Sequence, residues 1–185
     1  MKNAFFKGHG LGNDYIALDP DELDFPLTPK NIRAVCDRNW GAGSDGILAL
    51  SKSPRADFGV RIYNPDGSEA EKSGNGLRIF GRYLYATRRT RRRSFTVETK
   101  GGLVAIDLHI DKHGDASAAT VEMGEATFAP AALPCSLKVR ELIERPIRVG
   151  DEKLIFTGVS VGNPHCVVFR EKGHPWTRQE LLDLG

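Results

Sequence analysis

The sequence predicts an α+β fold in which short strands gather around one buried helix. Two patterns lead there. Apolar residues alternate with polar ones in several short runs, the period of a strand: Phe58, Val60 and Ile62 in one, Val104, Ile106, Leu108 and Ile110 in another. One stretch instead repeats with helical spacing, through Leu77, Phe80, Gly81 and Leu84, and Ile79 with Tyr83 widens its apolar face. A helix apolar on most sides is a buried helix. Many short strands around one such helix is an α+β pattern.

The elements follow in order. Ala4 to Phe6 reads as a strand, His9-Gly10-Leu11-Gly12-Asn13-Asp14 as a glycine-rich turn, and Tyr15 to Leu18 as the next strand. Thr28-Pro29 opens a helix that runs to Cys36, with threonine as cap and proline at the first helical position. Gly41 to Gly46 forms a second glycine-rich turn before the apolar run Ile47 to Leu50. Phe58 to Tyr63 alternates as a strand and ends at Asn64-Pro65-Asp66-Gly67, where proline presets one dihedral and glycine accepts a positive one. A short polar strand, Ser68 to Lys72, returns toward Ser73-Gly74-Asn75-Gly76 and the buried helix. The small Gly81 lets a neighbouring element pack closely against that helix.

Beyond the helix, Phe95 to Val97 begins a strand, Val104 to Ile110 a longer one, and Lys112 to Asp115 a hairpin turn with Thr120 to Met123 as partner strand. Ala and Pro dominate Ala126 to Pro134, a connector. Arg148-Val149 with Leu154 to Phe156, and Val159 to Val161, are further strands, followed by Gly162-Asn163-Pro164-His165 and the run Cys166 to Phe169. Thr177 caps a last helix, with Glu180 three residues on completing a capping box. The expected organisation is a first domain over 1–115 and a partial second domain over 116–185, whose few helices leave its strands thinly covered.

Composition narrows the function classes. Apolar residues make up 40% and charged residues 27% of 185, with a formal net charge of +2, so no polyanionic partner is required. The run Arg88 to Arg93 reads as the solvated end of a helix, where the dipole favours cations. Cys36, Cys135 and Cys166 show no CxxC spacing, which argues against a zinc site or disulfide framework and for a reducing cytoplasm. No segment resembles a signal peptide or membrane span. The expected partner is a small molecule, with no metal, nucleic acid or membrane, and a homodimer as the expected assembly.

Chemistry concentrates at four asparagines beside strand or helix ends: Asn13, Asn64, Asn75 and Asn163. Each alone is a common turn residue. Together they offer donors and acceptors suited to a zwitterion carrying an ammonium and a carboxylate. The Ser73 cluster adds a mechanism of its own. Glycines at the head of a buried helix expose unpaired N–H groups, and the dipole adds roughly half a positive charge, which makes a carboxylate or phosphate site. Such a site also stabilises the extra negative charge of a carboxylate whose α-carbon loses its proton. Ser73 serves equally as an ordinary helix cap. His9 and His165 are weaker candidates for a base, and Cys166, entering an apolar strand, reads as core.

These residues resemble a known family. His9 to Asp14, Asn64-Pro65-Asp66-Gly67-Ser68-Glu69, Ser73-Gly74-Asn75-Gly76-Leu77-Arg78 and Gly162-Asn163-Pro164-His165-Cys166 occur in the order and spacing of diaminopimelate epimerase. The resemblance places the chain over roughly the N-terminal two-thirds of that family. It implies two similar domains, each a mixed or antiparallel sheet curled around a central helix, with the substrate between them. It also implies a cofactor-free isomerase that interconverts LL- and meso-diaminopimelate in lysine biosynthesis. By position, Asn13, Asn64, Gly74, Asn75 and Asn163 match its substrate-binding residues, and Ser73 occupies the place of its first catalytic cysteine.

That serine departs from the family, which uses two cysteines on opposite faces of the α-carbon. The second falls in a motif this chain lacks. A thiol ionises near pH 8.5, while a hydroxyl lies closer to the ~15.7 of bulk water. The gap of roughly seven units is about 10 kcal/mol in forming the anion. The sequence therefore leaves two alternatives beside the epimerase: a relative of proline racemase and hydroxyproline dehydratase, or a non-catalytic amino-acid-binding fragment.

Overall fold

The computed structural model describes residues 2–170 and 173–184. The chain divides into two compact units, Met1–Gly124 and Glu125–Gly185. Within the first lie β1 (Phe6–Gly10), β2 (Asn13–Leu18), α1 (Pro29–Cys36), β3 (Ile47–Ser51), β4 (Phe58–Tyr63), β5 (Glu69–Ala70), α2 (Gly74–Ala86), β6 (Ser94–Thr99), β7 (Gly102–Ile110) and β8 (Ala116–Val121). One mixed sheet runs β1-β2-β3-β4-β6-β7-β8, with β5 added on β4. Pairings β2–β3 and β4–β6 are parallel and the others antiparallel.

The sheet curls because one helix satisfies both of its ends. α2 packs against β1 and β2 and also against β7 and β8. Laid flat, seven strands at about 4.8 Å spacing would separate the outer two by roughly 29 Å, far more than the ~10 Å girth of a helix. Leu77, Phe80 and Leu84 on α2 are fully buried and meet Tyr15, Leu48, Val60, Phe95, Val104, Ile106 and Val121 from around the sheet. Gly81 is the point of closest approach: a Cβ there would stand 3.1 Å from Ile106 and from Leu108.

α1 covers the other face. Ile32 and Cys36 pack with Ile16, Leu18, Ile47 and Ala49. β2 and β3 are therefore buried on both faces, which is why their sequences run apolar without alternation. Burial raises the Cys36 thiol above its ordinary range. Thr28 and Pro29 start α1 as expected, with the Thr28 hydroxyl accepting from Asn31 N at 3.3 Å.

In the second unit β9 (Arg145–Val149), β10 (Glu152–Ser160) and β11 (Pro164–Val168) form an antiparallel sheet in the order β11-β10-β9, and α3 spans Arg178–Leu184. Among its described residues Leu142, Phe156, Gly158 and Ser160 are buried. Thr177 and Glu180 make the capping box, Thr177 N donating to Glu180 at 2.8 Å and Glu180 N to the Thr177 hydroxyl at 3.2 Å.

Four expectations are revised. The division falls after Gly124 rather than after Asp115, because β8 pairs with β7 and so stays in the first unit. The β1–β2 turn shrinks to Leu11-Gly12, since Gly10 pairs with Asn13. Leu154 to Phe156 and Val159 belong to one strand, β10. Cys166 is exposed on β11, an edge strand, and is not core. Among the described residues no helix is long and apolar enough to cross a membrane.

Candidate functional site

The head of α2 is built by Ser73. Its backbone is extended, and its hydroxyl accepts from Gly76 N at 3.0 Å while its carbonyl accepts from Leu77 N at 2.8 Å. Those bonds satisfy the third and fourth amides of the helix. Among the described residues, the N–H groups of Gly74 and Asn75 reach no protein acceptor. Two unspent donors at the positive end of a thirteen-residue helix form a cradle for an anion. The Arg78 guanidinium adds charge there, its Nη1 lying 3.2 Å from where a Gly74 Cβ would be. Gly76 cannot carry a side chain without touching Leu48 at 3.0 Å.

Two of the four asparagines meet at this head. Asn75 Nδ2 donates to Gly10 O at 3.3 Å and to Asn13 Oδ1 at 3.4 Å. A third, Asn64, shares that end of the sheet by register. Ile47 pairs with Ile16 on one side and Tyr63 on the other, so Asn64, one residue beyond Tyr63, lies where β2 and β3 begin. Its own amide is engaged locally, donating to the Ser68 hydroxyl at 3.0 Å, and makes no bond to Asn13 or Asn75. Asn163 belongs to the second unit. Its Oδ1 is buried and has no hydrogen-bond partner among the described residues.

The weaker candidates fare differently. His9 lies on strand β1 rather than in a turn and is exposed. His165 is exposed, its ring tied through Nδ1 to Asn163 O at 3.1 Å.

Four residues that sequence reasoning missed hold the Asn13 side. Asp14, 8% exposed, is bridged by Arg38 at 2.7 Å and Lys7 at 3.2 Å. Arg38 also bridges Asp45 at 2.7 Å, and Asp45 Oδ2 accepts from Asn13 Nδ2 at 3.2 Å and from Asp14 N at 3.0 Å. The Arg38 hydrogen bond is the largest influence holding the Asp14 carboxyl at about 2, below its ordinary 3.8. The signal for this network was thin: charged residues flanking a glycine-rich loop do not reveal that the loop returns to a strand thirty residues earlier.

The family model for diaminopimelate epimerase matches residues 5–129. A diaminopimelate epimerase 2 from Nostoc sp. is 46% identical over 89% of this chain and 56% of its own length. A diaminopimelate epimerase from Leptospira biflexa is 36% identical over 98% of this chain and 65% of its own length. The chain thus spans under two-thirds of the length of these curated relatives. Among solved structures, a hydroxyproline epimerase from Agrobacterium vitis superimposes with a TM-score of 0.65 at 16% identity, covering 89% of this chain and 50% of that one. A methylitaconate-delta-isomerase gives 0.54 at 15%, covering 89% and 52%. At such identities these likenesses speak for the fold alone, a sheet curled around a helix. With its Ser-Gly-Asn-Gly helix head inside the matched segment, the chain belongs to the diaminopimelate epimerase family.

Proposed function

We propose that this chain takes part in diaminopimelate epimerase chemistry, moving the α-proton of LL- or meso-diaminopimelate without a cofactor. The setting would be the cytoplasm, in lysine biosynthesis. One observation carries the reading: the unspent Gly74 and Asn75 amides sit beside the Asn13–Asn75 amide pair. In this reading the two amides hold the reacting α-carboxylate. The helix head then stabilises the second negative charge that the carboxylate acquires as the α-proton leaves. Asn13, Asn64 and Asn163 contribute the polar groups that orient the zwitterion, and Ser73, just before the head, faces the α-carbon.

A second reading is favoured by Ser73 itself. An amino-acid binder needs only the cradle, and the hydroxyl lacks the acidity of a thiol by about 10 kcal/mol in forming the anion. The experiment is α-hydrogen exchange of diaminopimelate in deuterated water, with binding followed by calorimetry. The proposal expects binding, with slow exchange that Ser73→Cys raises sharply. Binding without exchange in either protein leaves the binder. Absence of binding refutes both.

A further inference from the structure

The geometry points to Arg38 and Asp45 as positioning residues that fix which way the Asn13 and Asn75 carboxamides face, leaving Asn75 Oδ1 as the acceptor open to a ligand's ammonium. This rests on the reading that the α2 head takes an amino acid. It adds two residues and a rule of polarity to that reading.

The polarity follows from groups whose roles are chemically fixed. Asp45 carries an acceptor-only carboxylate, and each of its three partners donates: Arg38 Nη2 to Oδ1 at 2.7 Å, Asn13 Nδ2 to Oδ2 at 3.2 Å, and Asp14 N to Oδ2 at 3.0 Å. Asn13 must therefore turn its nitrogen toward Asp45 and its oxygen away. That oxygen accepts from Asn75 Nδ2 at 3.4 Å. At the other end stands Gly10 O, a carbonyl that only accepts, and Asn75 Nδ2 donates to it at 3.3 Å. Two acceptors of fixed role, Asp45 and Gly10 O, thus orient both amides in one consistent chain. Asn75 Nδ2 has both hydrogens engaged, and among the described residues Asn75 Oδ1 accepts none. That acceptor lies against Gly10, 2.9 Å from where a Cβ there would stand, so in the proposed site an ammonium is met on the β1 side and a carboxylate by the Gly74 and Asn75 amides.

Arg38 is what keeps Asp45 in place. Its Nη2 holds Asp14 and Asp45 together, at 2.7 Å from each. Lys7 balances the second negative charge, reaching Asp14 at 3.2 Å and the Gly43 carbonyl at 2.6 Å. The loop bearing Asp45 is therefore tied to β2 through ion pairs, and its carboxylate does not swing free.

Asp45→Asn tests the chain of polarity with almost no change of shape. A carboxamide offers one acceptor and one donor, yet all three partners donate. A nitrogen turned toward Arg38 breaks the ion pair that anchors this residue, and one turned toward Asn13 and Asp14 N drives Asn13 to flip; either way Asn13 loses its charged acceptor of fixed role. A flipped Asn13 brings its Nδ2 against Asn75 Nδ2. The side-chain amide resonances of Asn13 and Asn75 in the ¹⁵N-labelled chain should therefore both move in Asp45→Asn, and diaminopimelate affinity should fall at least tenfold. Asp57→Asn is the control: Asp57 also accepts from an arginine and a backbone amide, Arg92 and Thr96, away from this corner. It should leave both readouts unchanged. If Asp45→Asn does not fold, Arg38→Met removes the anchor instead and should move the same resonances. Unmoved Asn13 resonances in a folded variant overturn the inference, as does unchanged affinity. Failure of the unaltered chain to bind diaminopimelate refutes the functional reading, while the resonances still decide the positioning role.

Discussion

Replacing Ser73 separates the two duties assigned to it. Ser73→Ala removes the acceptor 3.0 Å from Gly76 N, and Gly76 is buried, so water does not readily replace it. Loss of a serine cap costs about 0.5–2 kcal/mol. The burial of the orphaned amide places this case in the upper half, at about 1.5 kcal/mol. With a urea m-value of roughly 2 kcal/mol/M, the unfolding midpoint should drop by about 0.7 M. Ser73→Asp makes the opposite pair of changes. It keeps an acceptor for Gly76 N and adds a charge that the helix dipole favours by about 0.3–1 kcal/mol, so stability should match or exceed that of serine. The same charge fills the cradle and should abolish diaminopimelate binding. Urea titration by circular dichroism and calorimetry of the ligand read the two effects separately. An alanine variant with an unchanged midpoint would refute the capping geometry. An aspartate variant that still binds would refute the carboxylate cradle.

Two further outcomes follow from the frame around the site. Asp14 ionises at about 2 when folded and near its ordinary 3.8 when unfolded. Its contribution is thus present above pH 4 and lost as pH falls from about 4 toward 2. The heads of Lys7 and Arg38 are about half exposed, and solvent screening trims the ~2.4 kcal/mol implied by the shift to about 1–2 kcal/mol. Acid titration of Asp14→Asn should therefore lack that part of the decline between pH 4 and 2. Gly46→Ala would set a Cβ 2.4 Å from the Tyr63 carbonyl and 2.8 Å from the Tyr15 ring. Backbone must move at the β3–β4 pair, so a loss of about 3 kcal/mol or more in urea unfolding is expected.

What the sequence disclosed, it disclosed through local chemistry. Thr28-Pro29, Asn64-Pro65-Asp66-Gly67 and the Thr177–Glu180 box each carry their own stop or start signal, and each stands where it was expected. The helix beginning at Gly74 was legible because its apolar face is wide and its cap is serine. The failures share a cause: the deciding partner lies far along the chain. Gly10 looks like a turn residue, yet it lies in β1 because it pairs with Asn13, and the Asn75 amide, 2.9 Å from its Cβ position, leaves no room for a side chain there. Cys166 has apolar neighbours in sequence but lies on an edge strand. Asn13 and Asn75 were picked out singly, whereas the ion pairs that orient them join residues 7, 14, 38 and 45.

Serine at position 73 is compatible with the helix head and not with the chemistry of a thiolate, and the structure shows how far apart those demands are. Making the serine anion costs about 10 kcal/mol more than making a thiolate. The helix dipole returns at most ~2 kcal/mol, and the Gly76 N–H donating to a charged oxygen roughly 1.5–3 kcal/mol. Together they recover at most about half of the gap. Capping has no such requirement, since any oxygen lone pair at 3.0 Å serves Gly76 N. That bond also settles what Ser73 has left to offer. With one lone pair committed to the helix, it keeps the hydroxyl hydrogen and a second lone pair. In the proposed site Ser73 is therefore suited to donate a hydrogen bond or relay a proton and, lacking the acidity to form the anion, unsuited to remove one.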